Sequence, residues 1–151
     1  MLAVSLTEGI TEENLQRVYS DPFIARAGHD HREFAPIQHP QAKYLSAFVG
    51  GKFVGAFLAI RTTALNLDLH ILLFRDSVKH SRALGHACLR WAFSQEGVQR
   101  VTAPVFEDLQ TAINYCLKFG LVKEGFIRNS VMRGGKLQGV HILGMTREDW
   151  S

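Results

Sequence analysis

A short run of basic and small residues, KHSRALGHA, occupies positions 79–87 at the start of a predicted amphipathic helix. A chain entering a helix presents backbone N–H groups without intrahelical partners and the positive end of the helix dipole, which together suit a pyrophosphate. Gly85 would let that group approach the backbone closely, and the small Ala87 would not crowd it. The run therefore predicts a pyrophosphate site comprising Lys79, His80, Arg82, Ala83, Leu84, Gly85, His86 and Ala87.

A histidine stands in the apolar segment before this run. In NLDLHILLF, residues 66–74, His70 shares one alternating face with Asp68 and Leu72. The ordinary pKa of a histidine, about 6.5, suits proton transfer at neutral pH. Two interpretations stay open: His70 is a general base, or it is a strand histidine hydrogen-bonded to its neighbours.

The segment 20–41 combines prolines, glycine and histidines without a sustained period. We interpret it as a broken helix followed by a loop, and its length makes it a candidate substrate loop. His29, Asp30 and His31 are potential metal ligands, but metal sites are completed by further ligands at ordered spacing, which the sequence lacks. We therefore expect a solvated loop here and no metal site.

Regular elements must position these residues. The pair Gly50 and Gly51 separates two β-rich runs and suits a type I′ hairpin turn, which needs positive φ at both central positions. Thr11 and Asp108 are predicted helix N-caps, and Gly97 and Gly120 are predicted to end helices. The predicted strands are 2–7, 43–49, 52–62, 66–74, 100–105, 121–131 and 137–145, and the predicted helices begin at Thr11 and cover 81–96 and 108–120.

This order predicts one α/β domain over residues 1–151, with a mixed central sheet and helices on both faces. A length of 151 residues and 46% hydrophobic content suit a single core, and 21% charged residues are typical of neither a disordered chain nor a membrane protein. The net charge of +3 comes from scattered basic residues, so we expect no nucleic-acid partner.

No apolar stretch approaches the roughly 18 residues that span a bilayer, and the N-terminus lacks a signal-peptide pattern. We therefore expect a cytoplasmic protein without a membrane partner. Cys88 and Cys116 both lie in apolar helical patterns, which favours reduced thiols.

Three stretches resemble the GNAT superfamily of acyl-CoA-dependent N-acyltransferases. Arg82-x-x-Gly85-x-Ala87 resembles the Arg/Gln-x-x-Gly-x-Gly/Ala motif that holds the pyrophosphate of acetyl-CoA. The segment 112–126, AINYCLKFGLVKEGF, resembles the family's second motif, in which a helix ends in Lys-x-Gly-Phe and leads into a strand. The tail 133–150 is similar to the closing hairpin of the subgroup that modifies N-termini of ribosomal proteins and similar amines. The resemblance covers roughly residues 43–150.

The resemblance implies a GNAT-like, largely antiparallel sheet and acetyl-CoA as co-substrate. In such enzymes the strand before the pyrophosphate loop splays from the next strand, and pantetheine lies between their backbones. Here those strands are 66–74 and 100–105, with Leu72 and Phe74 among the cofactor-binding residues.

The family commonly places a tyrosine acid four residues before the glycine of Lys-x-Gly-Phe. Cys116 occupies that position and Tyr115 lies one residue earlier, about 100° around the helix. Both are candidate acids, with core packing as the alternative. The chain also lacks the usual proline before the phosphate loop and has a longer segment 75–81, with Ala87 at the second glycine.

Two functions remain. The first is transfer of an acyl group from CoA to a primary amine of a peptide, protein or small molecule. The second is a non-catalytic GNAT-fold protein, because 69–93 and 100–126 also look similar to short proteins of tailed bacteriophages, some labelled head-assembly proteins. Its partner would then be a viral structural protein or a host protein, in the host cytoplasm or the virion. Pairing of the final strands predicts a homodimer as a further hypothesis.

Overall fold

A computed structural model describes residues 2–150. The strands are β1 Val4–Glu8, β2 Ala42–Val49, β3 Lys52–Arg61, β4 Asn66–Leu73, β5 Arg100–Phe106, β6 Val122–Arg133 and β7 Lys136–Thr146. The helices are α1 Glu12–Tyr19, α2 Pro22–Gly28, α3 Ser81–Ser94, α4 Gln110–Lys118 and α5 Arg147–Trp150, with a 3-10 helix at Arg75–His80. Within residues 2–150, no helix is long and apolar enough to cross a membrane.

The seven strands form one sheet in the order β1-β2-β3-β4-β5-β7-β6. Only β4 and β5 are parallel; every other neighbouring pair is antiparallel. Helices α3 and α4 bury Leu84 and Ile113 against one face, while α1 and α2 bury Val18 and Ile24 beside Leu72 on the other. This arrangement confirms the predicted mixed, largely antiparallel sheet with helices on both faces.

Local sequence signals account for several element boundaries. Gly50 and Gly51 have φ values of 57° and 82° between β2 and β3, as the predicted hairpin requires. The side chain of Thr11 accepts a hydrogen bond from the Asn14 N–H at 3.1 Å and caps α1. The predicted cap at Asp108 is wrong: α4 begins at Gln110, and the Asp108 carboxylate instead accepts hydrogen bonds from Arg133.

The segment that enters α3 is helical rather than a loop. Arg75–His80 forms the 3-10 helix that leads directly into Ser81, and the Ser81 N–H donates to the Val78 carbonyl. The Ser77 hydroxyl also donates to the Phe74 carbonyl at 2.7 Å, which ties the start of this turn to the end of β4. At least one amide of the predicted pyrophosphate loop is therefore already engaged.

The pairing between β4 and β5 is short. It covers Asn66–Arg100, Leu67–Val101 and Asp68–Thr102, after which the strands separate. The Glu107 N–H donates to Gly139 of β7, so odd-numbered residues of β5 direct their backbone groups to β7 and even-numbered ones face β4. Pro104 is even-numbered and has no N–H to donate. Its position explains why the ladder ends where it does.

Candidate functional site

A cavity of about 450 Å³ occupies the gap between β4 and β5. It runs through the sheet, because its lining residues come from elements on both faces. On one side lie Ala112 and Cys116 of α4 and its N-cap residue Leu109; on the other side lie Tyr19, Gly28 and the loop after α2. The strands themselves contribute Leu69, His70, Ile71, Leu72, Ala103, Pro104, Val105 and Phe106.

His70 lines this cavity on the face covered by α1 and α2. It stands opposite Leu58 in the β3–β4 pairing, and both Leu58 and Leu72 belong to the core cluster of that face. Burial lowers the pKa of the His70 imidazole below its ordinary value, and the negative charge of Asp68 opposes that shift. At neutral pH the ring is therefore uncharged and has a lone pair that can accept a proton.

Cys116 lines the same cavity from α4 and is 5% exposed. Burial raises the pKa of its thiol to about 11, so at neutral pH the group is a protonated thiol with a hydrogen to donate. The sequence prediction that this residue packs in the core also holds, since Cys116 is part of the larger core cluster.

Tyr115 lies outside the residues that line the cavity and points to the start of α3. Its hydroxyl donates to the Ser81 carbonyl at 2.5 Å, and its ring packs edge-on against Phe119. Burial raises the pKa of the phenol, so it stays protonated. The structure thus brings His70 and Cys116 together around one cavity and gives Tyr115 a helix-joining contact instead.

The predicted pyrophosphate residues divide into two groups. Leu84 is fully buried, and a β-carbon at Gly85 would collide with Tyr115 and Phe119. The missing side chain of Gly85 therefore lets α4 approach α3 closely, and its predicted contact with a pyrophosphate stays a prediction. The second group has side chains that are exposed or partly exposed and comprises Lys79, His80, Arg82, Ala83, His86 and Ala87.

The backbone direction of β4 bears on the predicted cofactor contacts of Leu72 and Phe74, which stay predictions. The Phe74 N–H donates to Val54 of β3, so even-numbered residues, including Leu72, direct their backbone groups towards β3. The Phe74 carbonyl also accepts hydrogen bonds from Ser77. The backbone groups that face the gap belong to Leu69, Ile71 and Leu73, which the sequence reading missed although strand alternation could have identified them.

The loop after α2 closes the cavity on the His70 side. Phe34 packs against Tyr19 with ring centroids 4.7 Å apart, and the Ile37 N–H donates to the Tyr44 hydroxyl at 3.1 Å. The hydroxyls of Tyr19 and Tyr44 are themselves 2.7 Å apart. The candidate substrate loop of the sequence reading therefore forms a wall of the cavity.

The potential metal ligands at 29–31 have other partners. The Asp30 carboxylate accepts hydrogen bonds from the Arg32 backbone and side chain, which hold the pKa of that carboxyl below its ordinary value. The His29 ring packs edge-on against Phe34. In the part of the chain that the structure describes, no group of three His, Cys, Asp or Glu side chains is arranged to hold a metal ion.

Comparison with solved structures identifies the fold. The chain superposes on spermidine N-acetyltransferase from Vibrio cholerae in complex with CoA and spermine with a TM-score of 0.82, at 12% identity over 97% of each chain. A dodecameric form of the same enzyme in an intermediate state gives a TM-score of 0.78 at 12% identity, covering 97% of this chain and 95% of that one. A suspected acetyltransferase gives 0.80 at 19% identity, covering 97% and 84%.

The chain therefore has the fold of GNAT acetyltransferases. No protein-family model matches the sequence, and no curated protein matches it significantly.

Proposed function

We propose that this protein is an N-acyltransferase that transfers an acetyl or related acyl group from CoA to a primary amine. The observation that carries the proposal is the cavity through the sheet, with neutral His70 on one face and protonated Cys116 on the other. An acyl thioester and an amine that enter from opposite faces would meet between β4 and β5. Holding two reactants in such a geometry supplies much of the rate enhancement of an acyl transfer.

The proposed step needs one base and one acid. His70 accepts a proton from the amine as its nitrogen attacks the thioester carbonyl carbon. A C–N bond forms, the C–S bond breaks, and the departing CoA thiolate takes a proton from the Cys116 thiol. Both groups are then reset by solvent. The Cys116 thiolate regains a proton because its pKa is raised well above neutral pH, and the His70 imidazolium releases its proton because its pKa is lowered.

Acetyl-CoA would bind on the α3 and α4 face. Lys79 and Arg82 are exposed at the junction of the 3-10 helix and α3, where positive charge favours a pyrophosphate. Pantetheine would lie in the gap and bond to the backbone groups of β4 and β5 that face it. The side chain of Leu84 is fully buried and takes no part in that contact.

We further propose a homodimer that forms through the edge strand β6. Strand β6 ends the sheet, and its Val122, Phe126 and Ile127 side chains are 47–53% exposed. An edge strand with exposed apolar side chains is a template for pairing with a second chain.

No observation favours the alternative of a non-catalytic phage assembly protein, which stays a prediction.

Calorimetric titration of acetyl-CoA tests the cofactor. We expect micromolar binding by the unmodified protein, and a loss of at least about 10-fold in affinity for Arg82→Glu because a carboxylate replaces a cation near the pyrophosphate. Arg90→Glu makes the same charge change at an exposed site further along α3 and is the matched control. Absence of binding at millimolar acetyl-CoA would overturn the proposal.

An acceptor screen follows from binding. Spermidine, spermine, N-terminal peptide amines and lysine side chains would each be incubated with acetyl-CoA, and free CoA thiol measured. Polyamines are included because one structural neighbour was solved with spermine. We expect thiol release that depends on an amine and is lost in His70→Gln.

A further inference from the structure

Arg133, the last residue of β6, makes contacts that the proposed chemistry does not use. Its guanidinium donates from Nε to Asp108 Oδ1 at 2.9 Å and from Nη2 to Asp108 Oδ2 at 3.1 Å. The same group lies 4.3 Å from the centroid of the Phe106 ring. Arg133 is thereby fixed to the end of β5 and to the turn that leads into α4.

The remaining N–H groups of Arg133 reach a different part of the chain. Nη1 donates to the His29 carbonyl at 2.6 Å, and Nη2 donates to the Arg26 carbonyl at 2.8 Å. These carbonyls belong to the last turn of α2 and to its C-cap residue, which has an extended backbone. A helix end leaves carbonyls without intrahelical partners, and a cation there is favourable. Arg133 therefore caps α2 from outside the helix.

These two sets of contacts lie on opposite sides of the gap between β4 and β5. Helix α2 packs on β4, where Ile24 contacts the cluster that contains Leu72. Phe106 and Asp108 belong to the other side, beyond the last paired residues of β4 and β5. One side chain, 9% exposed, thus joins two walls that the sheet itself leaves unconnected.

The anchored segment is the start of the cavity wall. His29 is followed by the loop that lines the cavity through Asp30, Arg32, Phe34 and Ile37. The far end of that loop is held by the hydrogen bond from Ile37 to Tyr44. Arg133 holds His29, the residue at which this loop begins.

We infer that Arg133 is a positioning residue. It fixes the wall of the cavity on the His70 face, where the amine would enter, by joining the C-terminus of α2 to the β5–α4 turn. The expected effect of Arg133 on the amine rests on the proposed function. Its connection between α2 and the β5–α4 turn does not depend on that function. Lysine cannot replace it, because one ammonium cannot make a two-point contact with Asp108 and also reach two carbonyls.

Hydrogen exchange tests whether Arg133 joins α2 to the β5–α4 turn, without any assay of activity. In Arg133→Ala we expect amides of residues 22–37 to exchange at least about 10-fold faster, since local opening no longer has to break the cap. Arg133→Lys should show the same local change if the alanine variant fails to fold. Lys136→Ala removes a neighbouring exposed cation of the hairpin and is the matched control. Unchanged exchange at 22–37, or equal acceleration along the whole chain, would overturn the inference.

Steady-state kinetics test the effect on the amine. For Arg133→Lys we expect the KM of the amine to rise at least about 10-fold while kcat and the affinity for acetyl-CoA stay within about 3-fold. A fall in kcat with an unchanged amine KM would contradict the positioning role. If the unmodified protein transfers no acetyl group, the proposed function fails, and the exchange experiment still decides whether Arg133 joins the walls.

Discussion

His70 and Cys116 lie on opposite faces of the sheet and line the same cavity. Both are uncharged at neutral pH, for the same physical reason: burial lowers the pKa of the imidazole and raises the pKa of the thiol. The neutral forms are the ones that an acyl transfer to an amine needs, a base without its proton and an acid with it. Burial therefore gives both groups the protonation states that the proposed reaction requires.

Replacement of His70 by glutamine is expected to lower kcat/KM about 100-fold or more, as loss of a general base does. The unmodified protein should keep its activity down to a pH below about 6.5, because the imidazole pKa is lowered. A rate profile from pH 5 to 9 measures this. A residual rate in His70→Gln equal to that of the unmodified protein would remove His70 from the mechanism.

The same pKa shift makes stability depend on pH. The unfolded chain binds a proton at His70 below pH about 6.5, whereas the folded chain does so only at lower pH, so stability falls as pH falls through this range. Urea unfolding at pH 7.5 and 5.5 should show a smaller loss for His70→Gln than for the unmodified protein. Identical losses would indicate that the pKa of His70 is not lowered.

Cys116→Ala is expected to reduce kcat by about 10-fold or more, because the thiolate of CoA then leaves without a positioned proton donor. Cys88→Ala is the matched control, since Cys88 is also buried with a raised thiol pKa, of about 12, but does not line the cavity. Equal kcat values for the two variants would assign Cys116 to packing alone.

Tyr115→Phe should cost about 1 kcal/mol of stability and leave kcat within about 2-fold. The lost hydroxyl donates to the Ser81 carbonyl and joins α4 to α3, and a single hydrogen bond contributes about this much. Urea unfolding and the thiol-release assay measure the two quantities. A large fall in kcat at unchanged stability would restore Tyr115 as an acid.

Gly85→Ala should destabilise the protein by about 1–3 kcal/mol through overpacking against Tyr115 and Phe119. The sign of the change in unfolding free energy is diagnostic, because alanine in a helix interior is otherwise favoured over glycine by about 1 kcal/mol. Gly125→Ala is the control, since no atom lies within 4 Å of a β-carbon there. A stabilised Gly85→Ala variant would contradict the close helix contact.

The proposed dimer predicts a mass twice the monomer's 16.9 kDa by light scattering. Ile127→Lys should convert it to monomer, because a buried charge at a new interface is unfavourable. Leu65→Lys alters an equally exposed apolar side chain, 53% accessible, outside any strand and should leave the mass unchanged. A monomer mass for the unmodified protein would dismiss the dimer.

Much of the fold followed from local signals. The glycine pair at 50–51, the cap at Thr11 and the periodicity of 81–96 each act within a few residues. The sequence therefore predicted their elements closely, although α3 ends at Ser94. The gap between β4 and β5 was anticipated only through family resemblance, although Pro104 provides a local cause. His70 and Cys116 were identified as candidates, and the structure places both at the cavity.

Two residues show how tertiary contacts limit what local sequence can predict. Asp108 has the residue type of an N-cap, but Arg133, 25 positions away, takes its carboxylate, and no local pattern contains that contact. Gly85 matched a ligand motif, yet its environment is set by Tyr115 and Phe119 of another helix. In both cases a tertiary partner determined the role of a residue whose type allowed several.

The proline in β5 has a consequence for affinity. Because Pro104 lacks the hydrogen that would continue the ladder, β4 and β5 are not paired beyond Asp68 and Thr102. A ligand that enters the gap has no hydrogen bonds between β4 and β5 to break. Its binding free energy is therefore not reduced by the cost of separating the two strands. The gap between β4 and β5 is thus preorganised by the covalent structure of Pro104.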